Sequence, residues 1–495
     1  MSSTARTRTA DPILLHLQQV NPLIESYQTT KHIVQGSAEG FIVQATCKRT
    51  LKHENVNILS ANVPPPPDQT QGQEESLKQP LQPWQQEDYF VKYVNVPTYK
   101  HKAWADLRRT IHYTRTEVRF YNEILPLLKQ RVIQQHHGDD DGDDNWKICP
   151  KVYLAEYNLK DLMSEDESTE ATTTTSKVTD PQYTNEDTSI LEGRYGVLVM
   201  DNAQVNGCYQ EAPLRLNMAY QSVDALAKFH AASFQQDTIL NQVSQRLCQY
   251  GGSYHLKNRN PKELEWMVQA WDDFLTNIMC PHVPEGLLHE QDMQHLGERI
   301  VNAAEYISNE LSPLPNDRYA TIVHGDYKAM NIFFQDDKTT TTHRTDNHTT
   351  SSSTTPLLID FASTGVGLGM SDLAMHIAQI ALAEDLDNHD IEAKLVEHYY
   401  DCLIRSLPKD VQNVYSKDEA WRHFRFATVD YFRFILGRQW KGVTMEVFAK
   451  RNKNTNFAMV NRSIDAAFRF AKRSELYLRE IEQEMEERSK LKNEF

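Results

Sequence analysis

What this chain has little of narrows it first. Its six cysteines, Cys47, Cys149, Cys208, Cys248, Cys280 and Cys402, show no paired spacing. That argues against a disulfide framework or a cysteine-based zinc motif and for a reducing compartment. No apolar run approaches the roughly 18 residues that span a bilayer. The opening MSSTARTRTADPILLHL lacks the apolar stretch of a secretory leader. The expectation is a cytoplasmic protein, with the Ser/Thr/Arg-rich start leaving organelle import open. Positive charge is also in short supply, 52 Lys and Arg against 68 Asp and Glu for a net charge of -16. A chain so acidic is not expected to coat nucleic acid or an anionic membrane. Oligomeric state is not indicated.

What is present is ordinary globular material, 40% hydrophobic and 24% charged residues over 495 positions. The low mean hydropathy of -0.61 is therefore attributed to local polar segments. Four stretches cannot bury apolar surface and read as loops: residues 62–83, 134–145, 164–189 and 336–355. The acidic one, QQHHGDDDGDDN, is not a calcium loop. Aligning Gly142 with the EF-hand glycine puts His137 and Ile148 at the first and twelfth ligand positions.

Between these segments the front of the chain alternates strand-like runs, KHIVQGSAEGFIVQAT, DYFVKYVNV, KVYLAEYN and YGVLVMDN, with one helical pattern at 107–128. After Gly207 helical spacing dominates, as in LRLNMAYQSVDALAKFHAASF. A strand-rich front and a helix-rich back predict two lobes with a cleft between them.

One stretch concentrates polarity between apolar flanks, His324-Gly325-Asp326-Tyr327-Lys328-Ala329-Met330-Asn331. Its spacing matches the kinase catalytic loop H-x-D-x-x-x-x-N, in which the Asp accepts the substrate hydroxyl proton and the Asn holds magnesium. Both side chains must converge on one phosphoryl group from a single loop. Beyond the polar insert, PLLIDF ends an apolar strand in Asp360-Phe361, as expected of a second metal carboxylate. NIFF and PLLI form a hairpin whose tip is the insert, and lengthening such a tip costs only about 0.6 kcal/mol per doubling. In the front lobe, Lys92 of YFVKYV sits among apolar neighbours and needs a partner. Glu117 of TEVRFYNEIL is the natural one, with Glu123 the competitor. A Lys92–Glu117 bridge would orient ATP phosphates.

These elements together resemble the aminoglycoside phosphotransferase and choline kinase superfamily, and most closely its ecdysteroid-kinase-like branch. That branch carries a strand Lys, E-x-x-F-Y, L-A-x-F-H-A, H-G-D-x-x-x-x-N, I-D-F and D-L-A in order. Here they are Lys92, Glu117 to Tyr121, Leu226 to Ala231, His324 to Asn331, Ile359 to Phe361 and Asp372 to Ala374. The resemblance covers roughly residues 30 to 445. It implies an α+β, bilobal protein-kinase-like fold. A small antiparallel β-sheet N-lobe spans 31–202 with inserts at 62–83, 134–145 and 164–189, after an N-terminal extension 1–30. A mostly helical C-lobe spans 203–495 and carries the catalytic loop, the insert at 336–355 and a charged C-terminal helix.

The resemblance further implies Asp326 as catalytic base, Asn331 and Asp360 as magnesium ligands, and Lys92, held by Glu117, on the phosphates of ATP. Lys328 either reaches the γ-phosphate or is solvated. His324 and His230 orient the loop from the core, and Asp372 caps its own helix, ties down the loop, or both. The phosphate loop would be QGSAEGF, with Gly36 and Ser37 at its turn, and the adenine hinge LVMDNAQ, with Met200 and Asn202. Both depart from the family pattern: the loop is poorer in glycine than G-x-G-x-x-G, and Met200 replaces an acidic residue. The aromatics and Arg433 and Arg438 of VDYFRFILGRQW read equally as an acceptor wall or as core.

The activity implied is ATP- and magnesium-dependent transfer of a phosphoryl group to a hydroxyl of a small molecule, with sterol-like, amino-alcohol and sugar acceptors all open. The alternative is an inactive nucleotide-binding pseudokinase or scaffold. A protein kinase is disfavoured because only eleven residues, 361 to 371, separate Asp360 from Asp372 and no A-P-E follows.

Overall fold

The computed structural model describes residues 11–35, 38–48, 84–102, 104–135, 146–160, 162, 189–259, 261–282, 291–335, 356–380 and 389–493. The inserts 62–83 and 336–355, most of 134–145 and 164–189, and the Gly36-Ser37 turn lie outside these residues. The fold is α+β and bilobal. Among the described residues no helix is long and apolar enough to cross a membrane.

The front lobe is a five-stranded antiparallel sheet in the order β1-β2-β3-β5-β4. Its strands are β1 (Ile24–Gln35), β2 (Ala38–Lys48), β3 (Trp84–Asn95), β4 (Val152–Asn158) and β5 (Tyr195–Asp201). The pleat sorts β3 side chains by parity. Tyr89 and Val91 join Leu17, Ile24, Val43, Ala45, Val197 and Val199 in a small core on one face. Phe90, Lys92 and Val94 face the other way and line the inter-lobe cleft.

The sheet begins seven residues before the boundary expected at residue 31, and helix α1 (Pro12–Val20) packs on it. Most of the expected extension is therefore part of the lobe, because Leu17 and Ile24 supply core that the other strands leave uncovered. Asp11 starts α1 by accepting from the backbone N–H of Ile13 and Leu14, with Pro12 at the first helical position.

The helix expected at 107–128 is longer and interrupted: α2 (Trp104–Arg119), one π turn over Phe120–Ile124, and α3 (Leu125–Gln135). The extra residue of the π turn keeps Phe120, Tyr121 and Ile124 all buried. Gln134 and Gln135, assigned above to a polar loop, finish α3.

The back lobe is built on α4 (Leu216–Ala231), α5 (Asp237–Arg246), α6 (Met267–Phe274), α7 (Leu296–Glu310), α8 (Gly369–Ile380), α9 (His389–Ser406), α10 (Lys417–Phe434), α11 (Met445–Asn452) and α12 (Ile464–Asn493). Two three-stranded sheets, β10-β9-β6 and β7-β11-β8, carry the loops that face the cleft. They comprise β6 (Cys208–Tyr209), β7 (Cys248–Tyr250), β8 (Ala320–Val323), β9 (Ile332–Gln335), β10 (Leu357–Leu358) and β11 (Gly365–Leu368). The expected NIFF/PLLI hairpin is present, Phe333 pairing with Leu357 and Ile332 with Leu358.

The charged C-terminal helix is held in cis. Arg299 of α7 takes Glu475 and Glu482, Arg422 of α10 takes Glu484, and Arg425 takes Glu480.

If α1 is part of the sheet's core, Leu17→Ala should destabilise the front lobe by about 2–5 kcal/mol. Urea unfolding of the full chain followed by tryptophan fluorescence and far-ultraviolet circular dichroism should show an earlier transition. An unchanged midpoint would mean that α1 is dispensable.

Candidate active site

Four segments from both lobes meet in one cleft of about 670 Å³, within the usual range for small-molecule sites. From β3, Lys92 Nζ donates to Glu117 Oε2 of α2 at 2.7 Å and to Asp360 Oδ1, just after β10, at 2.8 Å. The expected Lys92–Glu117 bridge therefore exists and extends to a third group. Glu123, the competing partner, instead takes Arg246 through two bonds of 2.8 and 3.0 Å. Glu117 stands in the last regular turn of α2, whereas Glu123 lies inside the π turn and on another face of the helix.

Opposite Lys92 lies the loop between β8 and β9. Lys328 Nζ donates to Asp326 Oδ2 at 2.7 Å, and its side chain is 19% exposed. Of its two readings, the solvated one is overturned: the carboxylate two residues away holds it in the cleft. Asn331 Nδ2 donates to the Asp326 backbone oxygen at 2.8 Å and to its Oδ2 at 3.1 Å. The amide nitrogen is thereby committed to the loop, and Oδ1 is the atom of Asn331 left for a cation. Asp326, Asn331 and Asp360 all line the same cleft, with Lys92 and Lys328 between them.

Burial alone would raise the Asp360 carboxyl, but Lys92 and Lys328 hold it down to about 2. Burial pushes Glu117 up to about 7, against the pull of Lys92 and with the push of Asp360. Asp360 itself has φ 68° and ψ 57°, a left-handed conformation uncommon outside glycine. Phe361 follows it into the core, stacked on Phe120 of the π turn at 3.9 Å and tilted against His324 at 4.8 Å. The aromatic stack ties the metal-ligand candidate to the helix that carries Glu117.

Asp372 lies in the first turn of α8, which begins at Gly369, so it is not the helix's N-cap. Its fully buried carboxylate turns away from α8 and accepts the backbone N–H of His324 at 2.6 Å and of Gly325 at 2.9 Å. Of the two roles considered, it has the loop-holding one. His230 Nε2 lies 3.2 Å from the same carboxylate and Nδ1 2.6 Å from the Tyr399 hydroxyl. His324 Nε2 lies 3.0 Å from the Ile359 backbone oxygen, and its Nδ1 accepts from the Asp326 N–H at 3.3 Å. Both histidines are fully buried. Burial lowers His324, which keeps it neutral.

At the other end of the cleft, Met200, Asn202, Ala203 and Gln204 line the wall where the hinge was expected. Gly36 and Ser37 fall outside the described residues, as does the calcium-type reading of 136–145. The VDYFRFILGRQW segment is core and not an acceptor wall. Phe432, Ile435, Leu436 and Trp440 are at most 1% exposed. Arg433 is buried against Asp430 at 2.8 Å and the Tyr254 backbone oxygen at 2.6 Å, and Arg438 is exposed.

Several contributors carried no signal in the pattern of motifs. Tyr113 of α2, Gln210, Ser253 and Asn456 also line the cleft. Ser222, His376 and Tyr327 form a buried chain behind the loop, Ser222 Oγ to His376 Nε2 at 2.7 Å and His376 Nδ1 to the Tyr327 oxygen at 3.2 Å. Only His376 was findable, one turn after Asp372 on the same apolar helix.

Two outcomes are expected. Asp372→Asn leaves at least one loop N–H facing a donor and should cost about 1–3 kcal/mol. Gly325, at φ 78°, has no room for a Cβ against Ser363 O and Gly252 N, so Gly325→Ala should be at least as damaging. Thermal melts check both, and wild-type stability in either variant would contradict the loop-anchoring role. The second outcome concerns pH. Glu117 sits above its ordinary 4.5, so its contribution is present below 4.5 and lost as pH rises through about 7. Asp360, at about 2 against an ordinary 3.8, contributes above 3.8 and loses that contribution as pH falls through about 2. Denaturant titrations across this range should show stability falling between these limits of Glu117, and Glu117→Gln should flatten that limb.

Comparison with known proteins identifies the family. A family model described as the ecdysteroid kinase-like family matches residues 78–410. Among curated proteins none matches the sequence. Three solved structures resemble the chain at low score. An amicoumacin kinase in complex with AMP-PNP, Ca2+ and Ami has TM-score 0.38 and 11% identity, covering 93% of this chain and 92% of that one. A Plasmodium vivax ethanolamine kinase has TM-score 0.35 and 10% identity, covering 90% and 82%. An aminoglycoside-3'-phosphotransferase of type VIII has TM-score 0.25 and 12% identity, covering 70% and 88%. The family match spans more than half of the chain, and the chain belongs to the ecdysteroid kinase-like family.

Proposed function

We propose that this protein is an ATP- and magnesium-dependent phosphotransferase acting on a hydroxyl group of a small-molecule acceptor. The observation that carries the reading is the convergence of Asp326, Asn331, Asp360 and Lys92 in one cleft. The donor set suits the cofactors. The Asp360 carboxylate and the Asn331 amide oxygen are hard ligands of the kind magnesium takes, together with phosphate oxygens. Asp360, held near 2, is ionised at neutral pH and ready to bind a cation. Bound magnesium neutralises charge on the phosphate oxygens; Asp360 and Asn331 would hold it.

The chain's own residues do the rest. Asp326 accepts the proton of the acceptor hydroxyl as its oxygen bonds to the γ-phosphorus, and the bond to the bridging oxygen breaks with its electron pair leaving on ADP. Lys328 sits on the Asp326 carboxylate at 2.7 Å, within reach of charge that builds up on the phosphoryl group. Lys92, bridging Glu117 and Asp360, exchanges the Asp360 contact for phosphate oxygens while Glu117 keeps it in place. The wall at Met200 and Asn202 receives adenine through backbone groups, so Met200 in place of an acidic residue is no obstacle. Positioning and electrostatics supply the rate, since phosphoryl transfer asks little covalent chemistry of the protein.

The test is magnesium-dependent ADP release on a panel of sterol-like, amino-alcohol and sugar acceptors. Acceptor-stimulated turnover is expected, with Asp326→Asn lowering kcat by about 10²–10⁴-fold and Lys92→Met raising the KM for ATP. Failure to bind ATP in the presence of magnesium overturns the reading. Tight ATP binding without turnover on any acceptor points instead to a nucleotide-binding scaffold.

A further inference from the structure

Outside the cleft, one cluster joins three side chains of metal-binding type across two helices. Asp224 of α4 meets His398 and Cys402 of α9, with their ligand atoms all within 4.8 Å of one another. His398 and Cys402 are four residues apart and so share one helix face. Asp224 Oδ1 lies 2.8 Å from His398 Nε2 and 2.8 Å from Cys402 Sγ, and Sγ lies 3.7 Å from Nε2.

We propose that Asp224, His398 and Cys402 bind a zinc ion, with its fourth position open to water. A thiolate, an imidazole and a carboxylate form a donor set that favours zinc over magnesium or calcium. Tetrahedral zinc with bonds of about 2.0–2.3 Å sets its ligand atoms about 3.3–3.6 Å apart. The Sγ–Nε2 separation already fits, and Asp224 has to draw back by only about half an ångström. Cys402 is buried while the Asp224 and His398 side chains are 40% and 30% exposed, so the site has a closed floor and an open mouth.

The surroundings prepare the ligands. The Tyr220 ring meets His398 edge-on at 4.9 Å and fixes its rotation. Arg405 Nη2 donates to Cys402 Sγ at 3.0 Å and steadies a thiolate. Zinc enters by displacing the thiol proton and any proton on the imidazole. The even scatter of cysteines hid the site, because its ligands come from two helices 174 residues apart in sequence.

The position suggests what the ion does. The same two helices are joined by the His230–Tyr399 contact, and His230 supports Asp372 beneath the catalytic loop. Zinc staples α4 to α9 beside that contact and stiffens the loop's foundation.

The test loads chelator-treated full-length protein with cobalt, then with zinc. Cobalt should produce a thiolate-to-metal charge-transfer band, one equivalent of zinc should survive desalting, and zinc should raise the melting temperature. No cysteine lines the catalytic cleft, so cobalt bound there gives no such band. All three signals should be lost in Cys402→Ala and in His398→Gln and kept in Cys280→Ala, which removes the exposed thiol. Unchanged metal-free melting and circular dichroism establish that the variants fold; if Cys402→Ala misfolds, His398→Gln decides. No charge-transfer band in the wild type, or one that survives Cys402→Ala, overturns the site.

Discussion

The arrangement depends on one buried carboxylate. Asp372 accepts the backbone N–H of His324 and Gly325 and contacts His230. An ionised group in the core is costly unless its oxygens are filled. Here both are filled by donors that belong to other elements. Satisfying Asp372 therefore specifies where the β8–β9 loop must lie, and with it Asp326 and Asn331. The left-handed Gly325 is the conformational counterpart of the same constraint: only a residue without a Cβ fits between Ser363 and Gly252 while offering its N–H to Asp372.

A second constraint joins the lobes. Lys92 touches an acid from each, Glu117 in front and Asp360 behind. Its charge keeps Asp360 ionised while burial works against Glu117. The three groups form a coupled unit, and the Phe120–Phe361 stack locks the backbone on which two of them stand. A cation entering the site would compete with Lys92 for Asp360.

The insert at 336–355 joins two strands that are paired to each other, and closing a longer loop on a formed hairpin is entropically cheap. The charged C-terminal helix is no free appendage: arginines of α7 and α10 pair with its Glu475, Glu480, Glu482 and Glu484.

How far the molecule was legible follows from the range of the forces involved. Strands, helices and the H-x-D-x-x-x-x-N loop were readable because pleat parity, helical spacing and a reacting group's needs are all written over a few consecutive residues. Lys92 demanded an acidic partner on the same grounds. Nothing local told Glu117 from Glu123 decisively, since Glu123 lies within a π turn that buries Phe120, Tyr121 and Ile124 together. The sheet's true start at Ile24 was equally hidden, because α1 becomes structural only when Leu17 finds the far face of β3. By itself the sequence determined the lobes, the H-x-D-x-x-x-x-N loop and the identity of its charged residues. Tertiary structure alone decided that Lys92 bridges to Asp360, that Lys328 is held by Asp326, that Asp372 turns from its own helix to the loop, and that Asp224 meets His398 and Cys402. Each of these contacts joins chemistry with packing across the chain, and a buried charge chooses its partner by where the core brings donors, not by distance along the sequence.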